Sequence, residues 1–202
     1  MNRSLTNRCL IATVLALAAS AEIVDRIAVS VGNRVITESD LLRQIRVIAF
    51  QNGKQPDFSE ANKRAVVEKM IEQKLIQREL ENSRYPVPSP DDLVPAIEEF
   101  KKTHFPDTAA YHRALQAADI TEQDLLDVLV WERTLLNFIE IRFESGVLAS
   151  EQETAEYARE KNVTPAQAER ALVTSRADQQ VDEWLRSTRR RTTVIVHDEV
   201  LR

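Results

Sequence analysis

Residues 23–40 read IVDRIAVSVGNRVITESD, and this stretch decides the fold at the beginning of the chain. Its first half is rich in β-branched residues and alternates between apolar and polar side chains, which is typical of a strand. The pair Gly32-Asn33 tolerates positive φ and predicts a two-residue hairpin turn. Thr37 is followed three residues later by Asp40, a capping-box spacing that predicts a helix beginning near Glu38. The stretch therefore predicts a small β-hairpin that runs directly into a helix.

Helix signals dominate the rest of the chain. Only three glycines occur and aromatic residues make up 5% of the sequence, a composition that favours helices over a β-sandwich or barrel. Capping residues that precede apolar periodic runs predict further helices after Ser59, Ser89, Asp107, Thr121, Ser150 and Thr164. Residues 192–196 predict a strand, and we expect it to pair with the N-terminal hairpin because a lone strand needs a partner. The fold class is therefore mainly α: a helical domain with a small β-element formed by an N-terminal hairpin and a returning C-terminal strand.

The first 21 residues have the pattern of an export signal. Arg3 and Arg8 form a basic beginning, residues 9–19 are an apolar run, and Ala19-Ser20-Ala21 is a small-x-small cleavage pattern. The apolar run is short for a membrane span. We expect residues 1–21 to be a cleaved signal peptide and the protein to be periplasmic; the alternative is an uncleaved signal that anchors the chain in the inner membrane.

Charge and motifs argue against several function classes. The net charge is −5, and removal of the two leader arginines takes it to −7, which disfavours nucleic acid as a partner. Neither a glycine-rich phosphate loop nor a nucleophile elbow occurs in the sequence. His104, His112 and His197 lack the spacing of a metal site. The sequence therefore predicts no catalytic residue, no cofactor and no metal, with membrane contact at most transient.

The predicted helix from Glu122 to about Phe143 is apolar on most of its circumference. Leucine, valine, isoleucine and aromatic residues form two stripes, and only a narrow strip that includes Arg133, Asn137 and Glu140 is polar. Such a helix is either central to a core or partly exposed to a partner. We expect a buried central helix, with exposure to a partner as the alternative.

Several segments resemble SurA-type periplasmic chaperones, in order and at the family's spacing over about 120 residues. Residues 23–40 resemble the opening hairpin and helix start of the mature proteins in that family. Further similar segments are EKMIEQKLI (68–76), AYHRAL (110–115), ITEQDL (120–125) and IEIRF (139–143), and residues 182–196 resemble the family's C-terminal return segment. The resemblance implies a SurA N-terminal-like chaperone domain over residues 22–146. Residues 147–202 are then a helical extension and a C-terminal strand that pack back on it.

The resemblance also implies a function, with one departure. Relatives commonly carry parvulin-type prolyl isomerase domains before the return segment, whereas the 46 residues from Gly146 to Arg191 are helical in character and contain no glycine after Gly146. We therefore expect a non-enzymatic, ATP-independent holdase that binds unfolded or nascent envelope proteins, outer-membrane proteins among them. The candidate peptide-binding groove residues are Phe50, Trp131, Leu135 and Phe138, and core packing is the alternative role for each.

Other functions remain open beside the holdase prediction. A structural or interaction protein of the envelope would use the same fold to form a homodimer or to dock on one dedicated partner. A prolyl isomerase by descent only is the further alternative. Inhibition of client aggregation, concentration-dependent dimerisation and measured isomerisation would distinguish the three.

Overall fold

The computed structural model describes residues 25–202, and the predicted signal peptide lies outside the described residues. The prediction of a mainly helical chain with a small β-element is confirmed. The elements are β1 (Ile27–Val31), β2 (Arg34–Thr37), α1 (Glu38–Gln51), α2 (Glu60–Asn82), α3 (Pro90–His104), α4 (Thr108–Ala118), α5 (Glu122–Ile139), a π-turn (Glu140–Glu144), α6 (Glu151–Lys161), α7 (Pro165–Arg190), β3 (Val194–Val196) and α8 (Asp198–Leu201).

The helices begin where the capping residues predict. Side chains of the residues that precede the helices accept hydrogen bonds from backbone N–H groups in the first turn, which would otherwise lack a partner. Complete capping boxes occur at Thr37, Ser89, Thr121, Ser150 and Thr164. These local bonds explain why most helix boundaries can be read from the sequence.

The sheet has the strand order β2-β1-β3, with both neighbours antiparallel to β1. Gly32 opens the two-residue turn between β1 and β2 with a φ of +59°, which suits a residue without Cβ. Ser30 lies opposite Val35 on one side and Ile195 on the other. The predicted pairing of the C-terminal strand with the hairpin is confirmed, so the two ends of the described chain meet in one sheet.

In the described part of the chain, three groups of buried side chains form the core. The sheet cluster joins β1, β2, α1, α2 and α8, and its largest fully buried members are Val29, Ile36, Leu41, Ile71, Leu75, Val67 and Leu201. The tyrosine cluster contains Val47, Tyr111, Leu115, Ile120 and Leu125. The Phe138 cluster contains Ile76, Phe138, Phe143 and Ala177, with Trp131, Leu135 and Trp184 packed against it. Residues of α1, α2 and α5 occur in more than one group, so these helices join the groups to one another.

Helix α5 differs from the prediction of a buried central helix, which is wrong. Only Leu125, Thr134 and Phe138 of this helix are buried, and Leu136 is 59% exposed. The helix packs on α1 and α3, its C-terminal half also packs in the Phe138 cluster, and most of its other apolar side chains are only half-buried. Hydrophobicity around a helix did not determine burial, because the number of packed neighbours sets how much of its surface is covered.

The end of α5 widens into the π-turn, where the sequence predicts an uninterrupted α-helix to about Phe143. The Ser145 N–H donates to the Glu140 carbonyl oxygen at 3.0 Å, a bond that spans five residues. This wider spacing aligns residues that are five apart. The rings of Phe138 and Phe143 therefore meet with a centroid distance of 5.6 Å.

Candidate functional site

A groove between α1, α2 and α5 is the candidate functional site. Each helix contributes one stripe of side chains at helical spacing: Asp40, Arg43, Gln44 and Val47 from α1; Met70, Gln73 and Lys74 from α2; Asp124, Asp127, Val128 and Trp131 from α5. Residues three, four and seven apart lie on one face of a helix, so each stripe faces the groove along its length. The groove encloses about 250 Å³. That space is small for a typical small-molecule pocket of ~300–1,000 Å³.

One end of the groove is charged and is held by Arg43. The Arg43 guanidinium lies 3.5 Å from a carboxylate oxygen of Asp40 and 3.4 Å from one of Asp124. Both acids are also capping-box residues, for α1 at Thr37 and for α5 at Thr121. Arg43 thus links the first turns of two helices that are distant in sequence. A second depression lies on the other side of this ion pair and shares Arg43 and Asp124 as its wall.

The other end of the groove is apolar. Val47, Met70 and Val128 form its floor, and the half-buried indole of Trp131 lines its side. Among residues 25–202, no protein hydrogen bond or ion pair engages the side chains of Gln44, Gln73 or Lys74. The groove therefore offers an aromatic face, two amides and one ammonium group to a ligand.

The Phe138 cluster, against which Trp131 packs, lies behind the groove and surrounds the guanidinium of Arg142. The Arg142 guanidinium lies over the rings of Phe138, Phe143 and Trp184 at 5.9, 5.6 and 5.4 Å from their centroids. It also pairs with Glu79 at 2.7 Å and donates to the Tyr85 hydroxyl at 3.1 Å. Cation–π contacts and this ion pair join the π-turn to α2 and α7. Arg142 therefore stabilises the contact between the aromatic cluster and α7.

The structure brings three of the four predicted groove residues together and places the fourth elsewhere. Trp131, Leu135 and Phe138 belong to one cluster, but Trp131 alone lines the groove. Phe138 is 1% exposed and has no free surface for a ligand in this conformation. Phe50 packs against Phe100, Phe105 and Tyr111, with ring centroids 5.9–6.4 Å apart. Peptide binding through these four residues stays a prediction.

Beside Trp131, which the sequence predicts, the groove is lined by residues outside the predicted set. Asp124, Asp127, Val128 and Trp131 form an i, i+3, i+4, i+7 pattern that is polar at its first half and apolar at its second. That pattern was visible in the sequence. Its partners Gln73 and Lys74 on α2 were not, because no local rule predicts which helix faces α5.

Two further findings concern metals and membranes. Within residues 25–202, no three histidine, cysteine or acidic side chains are grouped closely enough to hold a metal ion. None of the helices in that range combines the length and apolar character required to cross a bilayer.

No family model matches the chain, and no curated protein matches it either.

Proposed function

We propose that the protein is an ATP-independent holdase that binds segments of unfolded envelope proteins in the groove between α1, α2 and α5. The observation that carries the proposal is the groove itself, which combines an apolar floor, an indole and unengaged amide groups. Extended or helical polypeptide segments bind in grooves of this kind through apolar anchors, with polar groups that fix their orientation. The resemblance of the sequence to SurA-type chaperones supports the same function.

The geometry favours a weak and tolerant site over a selective one. The groove is open, its charged end is already paired through Arg43, and its apolar end exposes only part of Trp131. A ligand therefore gains most from burying apolar surface and little from a specific ionic contact. Such a site suits clients that differ in sequence and share exposed apolar side chains. Unfolded outer-membrane proteins are clients of this kind, because their strands alternate apolar and polar residues.

The test measures aggregation of a denatured outer-membrane protein diluted from urea, followed by light scattering at increasing ratios of the purified protein. We expect suppression of scattering. Trp131→Ala should raise the concentration needed for half-maximal suppression by about tenfold or more, because an aromatic anchor typically contributes more than ~1.4 kcal/mol to binding. Leu136→Ala is the matched control, since Leu136 lies on the same helix, is exposed and does not line the groove.

Several outcomes would contradict the proposal. Unchanged scattering at every ratio excludes a general holdase, and a concentration-dependent dimer in sedimentation would then favour a structural or dedicated-partner role. Equal loss in Trp131→Ala and Leu136→Ala, with circular dichroism unchanged, would place binding outside the groove. A prolyl isomerisation assay on the same preparation distinguishes an enzyme, provided that the activity survives rigorous purification.

A further inference from the structure

The outer edge of β3 has backbone groups that pair with no other part of the described chain. The Gly32 N–H donates to the Thr193 carbonyl at 2.8 Å, and the His197 N–H donates to the Ala28 carbonyl at 2.9 Å. Because the Ser30–Ile195 pair lies between these two bonds, the N–H and C=O groups of Thr193, Ile195 and His197 point towards β1. Val194 and Val196 therefore direct their N–H and C=O groups away from the sheet. Within residues 25–202, β1 is the only strand that pairs with β3.

The opposite edge of the sheet is less available. In β2, Val35 and Thr37 occupy the outward-facing positions, by the same alternation. The Thr37 N–H donates to the Asp40 carboxylate at 3.2 Å as part of the α1 capping box. Arg34, at the other end of β2, pairs with Glu81 of α2. The β3 edge is thus the one whose donors and acceptors, at two alternate positions, pair with nothing in residues 25–202.

Exposed apolar side chains accompany this free edge. Ile195, Ser30 and Val35 lie directly opposite one another across the three strands. Ile195 is 52% and Val35 45% exposed, whereas Val29 and Val31 point into the core. The row therefore lies on the outer face of the sheet. A strand added beside β3 would place one of its side chains next to Ile195 and continue this row.

From these observations we propose that β3 is a second docking site, which takes an extended polypeptide segment as a fourth strand of the sheet. Val194 and Val196 would each exchange N–H and C=O bonds with the incoming main chain, and an apolar side chain of the segment would cover Ile195. This binding mode recognises the main chain of the segment and places few restrictions on the amino-acid sequence of that segment. The edge is only three residues long, which limits affinity and disfavours extended aggregation. The site is separate from the groove and does not depend on it.

The test uses a short fluorescein-labelled peptide of alternating valine and threonine residues with a lysine at each end. Its binding to the purified protein is followed by fluorescence anisotropy. Val194→Pro removes an outward N–H and keeps the bonds to β1, because proline is tolerated on edge strands. We expect this variant to weaken binding by about tenfold or more. Ile195→Thr should weaken it less, and Val35→Thr, the same type of change on the opposite edge, should leave it unchanged.

A second measurement changes the peptide and leaves the protein intact. N-methyl groups on four consecutive central residues remove the N–H donors from both edges of the peptide strand, and we expect them to abolish binding. Equal affinity for the methylated and unmethylated peptides would overturn the proposal even if Val194→Pro failed to fold. Retained affinity in a folded Val194→Pro variant would overturn it as well.

Peptide binding in the groove, or a second copy of the chain at the β3 edge, would give different results. If Trp131→Ala abolishes peptide binding and Val194→Pro does not, the peptide occupies the groove and the proposal is wrong. If the protein is a dimer in sedimentation, Val194→Pro makes it monomeric and the peptide does not bind, the edge belongs to a second copy of the chain. That result would also overturn the proposal.

Discussion

Tyr111 shows how a single residue can be placed by packing alone. Its side chain is fully buried in the tyrosine cluster, beside Phe105 at 5.3 Å and below the Lys101 ammonium at 5.0 Å. Burial, together with the nearby carboxylates of Glu122 and Glu98, raises the pKa of the Tyr111 hydroxyl above its usual range. Within the described chain, no acceptor meets the geometry of a hydrogen bond with the hydroxyl, although the Glu122 carboxylate lies close to it. The ring therefore stabilises the fold while the hydroxyl contributes a desolvation cost.

We expect Tyr111→Phe to leave the free energy of unfolding unchanged or to raise it by up to about 1 kcal/mol, because the removed hydroxyl is buried without a partner. Tyr85→Phe provides the contrast. It removes a hydroxyl that accepts a bond from Arg142 at 3.1 Å and should cost about 1 kcal/mol. Urea unfolding of both variants measures the difference. A larger loss for Tyr111→Phe than for Tyr85→Phe would contradict this assignment.

At the scale of elements, α6 and α7 form an antiparallel hairpin that depends on its own contacts. Helix α6 has no buried residue and packs mainly on α7. Glu153 connects the two: its carboxylate accepts bonds from the Ser150 hydroxyl and N–H and pairs with Arg176 of α7. The bonds from Ser150, followed by the one from Arg176, lower the pKa of Glu153 to about 2. The hairpin is therefore held partly by the charged form of one carboxylate.

This lowered pKa predicts a pH dependence. The contribution of the Glu153 carboxylate is fully present above its ordinary pKa of 4.5 and is lost as the pH falls towards about 2. The Tm of the unmodified protein should exceed that of Glu153→Gln at neutral pH, and the difference should shrink through this window. Glu156→Gln, on the same helix, is the control and should show no such change. A difference that stays constant from pH 6 to pH 2 would count against the ion pair.

At the scale of the whole molecule, the C-terminus completes the core. Val200 and Leu201 of α8 are buried in the sheet cluster, although the sequence pattern predicts no element after the last strand. An ion pair between Arg64 of α2 and Asp198 joins α8 to α2, and Glu60, one turn before Arg64 on the same helix, pairs with the same guanidinium. Helix α8, which completes the sheet cluster, is thus a single helical turn. Its burial depends on the position of β3, which precedes it.

We expect Leu201→Ala to destabilise the protein by about 2–5 kcal/mol, since it leaves a cavity in the sheet cluster. Leu148→Ala is the matched control: the same atoms are removed from a side chain that is 85% exposed, so the change should stay within about 0.5 kcal/mol. Chemical denaturation of the two variants gives the comparison. Similar midpoints for both would mean that α8 does not contribute to the core in solution.

The sequence by itself determined the class of fold, most helix boundaries and the return of the C-terminal strand. These features depend on local chemistry: capping side chains bond to the backbone three residues away, and a lone strand requires a partner. Only the tertiary structure decided which helix faces meet. It left α5 partly exposed, buried Phe138, separated Phe50 from Trp131 and assembled the groove from three helices. Burial and contact depend on neighbours that are distant along the chain, so no local pattern specifies them.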